Sequence, residues 1–111
     1  MESLLEIHPN GVAVVKFTGR LDLLNAAEAK QKLAHVVADG HPRLIVDLKQ
    51  VSFIDSSGLG ALIGGLKAAR IAGGDLRLAC VGEQARVVLQ LTTLDRVLRP
   101  HATIEEALAG Y

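Results

Sequence analysis

What this sequence lacks narrows its function before any motif is read. Only Phe17, Phe53 and Tyr111 are aromatic among 111 residues, and there is no tryptophan, too little for a platform on which nucleic-acid bases stack. No sign of charge prevails either: twelve Lys and Arg stand against twelve Asp and Glu, so there is no electrostatic footprint for direct nucleic-acid binding or for an anionic membrane. One cysteine, Cys80, excludes an internal disulfide and fits a reducing compartment; its plain reading is a small buried apolar residue. No apolar run approaches the length of a membrane span. The start, Met1-Glu2-Ser3-Leu4-Leu5-Glu6, is acidic and lacks the apolar core of a signal peptide, so the expectation is a cytoplasmic protein. Residues 1–111, with 50% apolar side chains, suffice for a single domain that buries about two-thirds of its unfolded surface.

Catalytic and metal-binding constellations are missing too. A nucleophile elbow needs Gly-x-Ser-x-Gly, but Ile54 stands two residues before Ser56 and Asp55 two before Ser57. His8, His35, His41 and His101 are scattered without ligand spacing and are expected at the surface. Gly58-x-Gly60-x-x-x-Gly64 misses the dinucleotide-binding spacing by one residue, and no P-loop lysine accompanies it. No cofactor is implied, and catalysis has no candidate constellation here.

What is present reads as alternating strands and helices. Leu4 to His8 and Val12 to Thr18 are strand-like, with Pro9-Asn10-Gly11 supplying a turn between them. From Asn25 to about Asp39 the period becomes helical, with Ala26, Ala29, Leu33, Val36 and Val37 on one face, and Asn25 with Glu28 resembles a capping box. Leu44-Ile45-Val46-Asp47-Leu48, resuming at Val51 to Ile54, reads as a strand covered on both faces and central in a sheet. A second helix starts at Ser56 or Ser57 and runs to about Ala72, with Leu59, Leu62, Ile63, Leu66 and Ala69 inward. Leu76 to Val81 then makes a parallel crossover strand. Gln84 to Leu91 reads as a short helix with Val87, Val88 and Leu91 inward, Val97-Leu98 as a last edge strand stopped by Pro100, and Thr103-Ile104-Glu105-Glu106 as the capping box of a final helix. The fold class is α/β: a small mixed sheet of an opening hairpin and parallel strands, with about four helices.

Chemistry concentrates at Val51-Ser52-Phe53-Ile54-Asp55-Ser56-Ser57-Gly58-Leu59-Gly60, where a strand runs into a helix. Any oxygen-bearing side chain there can cap the helix. A hydroxyl at the positive end of the helix dipole also suits a phosphate. The helix that follows has a second stripe, Ser57, Gly60, Ala61, Gly64, Gly65 and Ala68, in which every residue is small. Glycine inside a helix costs about 0.5–1 kcal/mol relative to alanine, so close packing is implied, with either a helix of the same chain or a partner protein.

Phe53-Ile54-Asp55-Ser56-Ser57-Gly58-Leu59-Gly60-Ala61-Leu62, preceded by Leu44 to Leu48 and by Gly19-Arg20-Leu21-Asp22, resembles a STAS domain of the anti-sigma factor antagonist class. The resemblance runs from about Val12 to Leu108 and includes Ala72-Gly73-Gly74-Asp75-Leu76 and Leu94-Asp95-Arg96-Val97. It implies that Ser56, the first serine of Asp-Ser-Ser-Gly, is phosphorylated by a partner that is both anti-sigma factor and ATP-dependent serine kinase. The unphosphorylated form would bind that partner and free the sigma factor, and a metal-dependent serine phosphatase would restore it. By the same resemblance Asp55 is the motif acid and Asp22 lies near the partner-facing surface. The expected partner surface comprises Asp22, Asp55, Ser57, Gly58, Gly60, Ala61 and Gly64. Arg20 stands where the family often has glutamate, and Asn25 where it often has threonine. The same fold also serves in lipid-trafficking and anion-transport complexes, where a partner is bound without a serine switch.

Overall fold

The computed structural model of the protein describes residues 1–111. Glu2–Ile7 (β1) and Ala13–Leu21 (β2) form the opening hairpin, antiparallel from Glu2↔Thr18 to Ile7↔Ala13. Its turn follows from Asn10 and Gly11: the Asn10 Oδ1 accepts the Val12 N–H at 3.2 Å, and Gly11 takes a φ of +86°, where a side chain would be strained. The chain continues through Ala26–Ala38 (α1), Arg43–Ile54 (β3), Ser56–Ile71 (α2), Asp75–Ala79 (β4), Glu83–Leu91 (α3), Asp95–Leu98 (α4), Pro100–His101 (β5) and Ile104–Leu108 (α5). The class is the mixed α/β expected, with one helix more, α4 being a single turn.

The strands stand side by side in chain order, β1-β2-β3-β4-β5, and every pair after the hairpin is parallel. Right-handed crossovers that always step the same way place their helices on one face. The main core is there: Phe17, Leu33, Val46, Leu62, Leu78 and Leu98 come from β2, α1, β3, α2, β4 and α4. The opposite face is covered by α5 and the segment through Tyr111, over Val12, Val14, Ile45 and Ala79. Leu44 to Leu48 are all buried, as an apolar run in a central strand requires, and Asp47 among them accepts the Lys49 N–H at 2.9 Å.

Several local expectations are corrected. Val97-Leu98 is helical: Leu98 reaches the core from the single turn of α4, and Arg99, at a φ of 33°, turns the chain so that Pro100 opens the edge strand instead of stopping it. On α3 Ala85 and Leu89 are buried and Val88 packs half-buried against the core as expected, while Val87 and Leu91 are exposed. Gln84 fixes that phase, because its side-chain amide bonds both the N–H (3.0 Å) and the C=O (2.9 Å) of Ile54. Asn25 is not a side-chain cap: its backbone is already helical, and its Nδ2 donates to the Arg20 carbonyl at 2.7 Å. Nor are all histidines at the surface. His101 is half-buried, with its Nε2 enclosed and unpartnered. The final capping pair is present, Thr103 Oγ1 accepting the Glu106 N–H and Glu106 reaching back to the Ala102 N–H, both at 3.1 Å.

Candidate functional site

β4 pairs with β3 only from Arg43 to Asp47, so the last residues of β3 run beyond it, flanked by β2 as far as Leu21↔Ile54. On the side β4 leaves open, the Gln84 amide takes the place of a strand at Ile54. Along this overhang β3 uses two more residues than β2, shifting register between Lys16 and Thr18 and again between Gly19 and Arg20. Such irregularities bend and twist a strand pair. The overhang delivers Asp55 and the start of α2 beside the end of β2.

Asp55 organises this junction. Its Oδ1 accepts the Gly58 N–H at 2.9 Å, capping α2, and its Oδ2 accepts the Leu23 N–H at 3.1 Å, holding the loop that leads from β2 to α1. Its own N–H donates to the Leu21 carbonyl at 3.3 Å. Gly58 packs on that same carbonyl: a Cβ there would lie 2.0 Å from the Leu21 oxygen, so the motif glycine is a steric necessity of how α2 leaves the sheet. The intrahelical bonds begin with Leu59 N–H to the Asp55 carbonyl. Ser56 and Ser57 therefore occupy the first two helical positions, whose N–H groups point out of the helix end. Ser56 is exposed and Ser57 half-buried.

Asp22 belongs to the same cluster. It accepts the Leu24 N–H at 3.2 Å through Oδ1 and Arg20 Nε at 3.1 Å through Oδ2, and its carbonyl accepts the N–H groups of Asn25 and Ala26. The Arg20 guanidinium also lies over the Phe53 ring, 4.3 Å from its centroid. Neither hollow of the surface includes Ser56: one lies between Met1, Phe17, Glu28 and His35, the other between Arg86, Gln90, Asp95 and His101. The junction is thus an open surface with a hydroxyl on it.

The expected partner residues divide. Asp22, Asp55, Ser57 and Gly58 gather around Ser56, but Gly58 is buried by Leu21. Along α2, Gly60 faces open space, Ala61 is buried, and Gly64 lies under the Lys30 side chain, where a Cβ would meet Cε at 2.7 Å. Gly65 is likewise closed by Leu33. Packing against α1 thus accounts for Gly64 and Gly65, and Gly60 is the glycine of the stripe left facing outward. Sequence reasoning missed Gln84 and the leucine pair Leu23-Leu24; two adjacent leucines outside any strand or helix stripe were the visible signal for the latter.

The family described as "STAS domain" matches residues 5–107. The anti-sigma-F factor antagonist RsfB of Mycobacterium tuberculosis is 34% identical over 103 residues, covering 91% of this chain and 82% of that protein. The crystal structure of a putative anti-sigma factor antagonist from Thermotoga maritima superposes with a TM-score of 0.88 at 29% identity, over 96% of this chain and 91% of that one. The anti-sigma factor antagonist SpoIIAA, 26% identical over 96% of this chain, superposes at 0.80 unphosphorylated, covering 93% of that chain. In its phosphorylated form, from Bacillus, it superposes at 0.72 and 96% of that chain is covered.

Proposed function

Because the chain belongs to the STAS domain family, we propose that it is an anti-sigma factor antagonist, a regulatory binding protein and not an enzyme. In its unphosphorylated form it binds an anti-sigma factor that is also a serine kinase, and so frees a sigma factor; phosphorylation of Ser56 ends the binding, and a serine phosphatase restores it. It works in the cytoplasm, where those partners are, and no helix is long and apolar enough to cross a membrane. The observation that carries this reading is Ser56 itself: an exposed hydroxyl at the first position of a sixteen-residue helix, on an open surface shaped by Asp55 and Asp22. RsfB and SpoIIAA support it by their names, and SpoIIAA by having a phosphorylated form.

The physics of such a switch is local. A phosphoserine adds about −1.5 to −2 charges and three acceptor oxygens, which the N–H groups and dipole at a helix start accommodate. The same charge within an interface must lose water and face the partner's field. A penalty of about 2–4 kcal/mol weakens binding about 30- to 1000-fold. The test is to titrate the chain against each anti-sigma factor of the same genome, then incubate the binder with ATP and map the phosphate by peptide sequencing. Binding by the unmodified chain with phosphate on Ser56 is expected; phosphate on Ser57 alone, or no binder, overturns the proposal.

A further inference from the structure

Leu23 and Leu24 stand out among the apolar residues the fold leaves uncovered. They are 74% and 89% exposed, and they sit on the loop between β2 and α1, next to the Ser56 junction. This loop is not slack. Asp55 Oδ2 holds the Leu23 N–H, Asp22 Oδ1 holds the Leu24 N–H, the Asp22 carbonyl holds the N–H groups of Asn25 and Ala26 at 3.0 and 2.8 Å, and Asn25 Nδ2 returns to the Arg20 carbonyl. Two large apolar side chains are thus displayed in solvent on a fully tied backbone, so a partner that covers them orders little loop in doing so. The carboxylate that holds the Leu23 backbone also caps the helix on which Ser56 stands, which places the leucine loop and the serine at the same junction.

We propose that Leu23 and Leu24 are the apolar anchor by which this chain engages its anti-sigma factor, whose matching surface is an apolar groove beside the place where Ser56 docks. The proposal rests on the function argued above and adds which side chains supply affinity there. Taking two exposed leucine side chains out of water favours association roughly in proportion to the apolar area covered.

The experiment titrates the anti-sigma factor identified above with wild type, with Leu23→Ser/Leu24→Ser, with Leu23→Met/Leu24→Met, and with Ile71→Ser. Ile71 is also 89% exposed but closes α2, about 22 Å from Ser56 at 1.5 Å per residue. Expected are a loss of about 10- to 100-fold for the serine pair, near wild-type affinity for the methionine pair and for Ile71→Ser, and unchanged melting temperatures throughout. Wild type that binds and is switched by Ser56 phosphorylation while the serine pair binds within twofold overturns the anchor and leaves the function standing. Absence of any binding by wild type overturns both. A wild-type dimer in sedimentation that the serine pair dissolves, with affinity for the anti-sigma factor unchanged, assigns the leucines to a second copy of the chain and likewise overturns the proposal.

Discussion

Gly58 and Leu21 are in such close approach that no side chain fits between them: a Cβ on Gly58 would stand 2.0 Å from the Leu21 carbonyl oxygen. Gly60, two residues on, faces open space, and the nearest neighbour of a Cβ on Gly64 is the flexible stem of Lys30. Alanine substitutions should therefore separate by sign. Gly60→Ala should gain about 0.5–1 kcal/mol from helix propensity, Gly64→Ala should be near neutral as Lys30 swings aside, and Gly58→Ala should cost about 3 kcal/mol, the upper part of the usual overpacking range. Urea midpoints in that order check the assignment; a harmless Gly58→Ala contradicts it.

Asp55 carries two bonds that alanine cannot replace, to Gly58 N–H and to Leu23 N–H. Asp55→Ala should cost about 2 kcal/mol, roughly half from the lost cap and half from the lost loop tie. That corresponds to a fall of about 10 °C in melting temperature. Asp55→Ser should recover the cap half alone, so a full rescue by serine would mean that the Leu23 bond contributes nothing.

At Ser56, alanine should bind the anti-sigma factor without regulation, while aspartate, bringing one charge where phosphate brings nearly two, should imitate the modified form in part. Because the charge lies at a helix start, neither Ser56→Asp nor phosphorylation should lower stability, and a gain of up to about 1 kcal/mol is expected from the dipole. Thermal unfolding beside the binding titration decides: lost affinity with a large fall in melting temperature would make the switch a disruption of the fold.

Tyr111 ties the sheet's second face together. Its hydroxyl donates to the Leu44 carbonyl at 2.7 Å, and Arg77 stacks on its ring at 3.9 Å. Burial pushes its phenol above the ordinary value, with Asp75 acting in the same direction. The folded state therefore holds that proton more tightly than the unfolded chain, so the stabilisation is complete below about pH 10 and is lost as pH rises beyond it. Tyr111→Phe should cost about 1 kcal/mol at neutral pH. The gap between variant and wild type, followed by urea denaturation, should begin to narrow as the pH approaches about 10 and close within about one pH unit above it.

Much of this was legible in the sequence where one local rule decided. Pro9-Asn10-Gly11 gave its turn, the apolar run from Leu44 to Leu48 its central strand, and Thr103 with Glu106 its cap. Errors arose where a distant group cast the vote. Val87 and Leu91 form as good a stripe as Ala85 and Leu89, and only Gln84 gripping Ile54 chooses between them. Asn25 had cap chemistry, but the Asp22 carbonyl had already begun the helical turn. At the candidate site, the strand-to-helix junction was visible in the residue pattern, which left Asp55, Ser56 and Ser57 open as caps; the family resemblance singled out Ser56, and the structure gives the cap to Asp55. That Asp55 also holds Leu23, 32 residues away in the chain, could not be read from either segment alone.

The strands follow one another across the sheet in the order of the chain, which bears on how the protein comes into being at the ribosome. Each new strand can dock on one already in place, with no slot to be kept open for a later arrival, and such local assembly is what makes folding fast. The bonds that tie Asp55 to Leu21, Leu23 and Gly58 all lie within residues 21–58 and wait for none of the later strands. The junction around Ser56 can thus take shape early. The clasp from Tyr111 back to Leu44 spans 67 residues, so it closes on a sheet whose Ser56 edge needs none of the later strands to form.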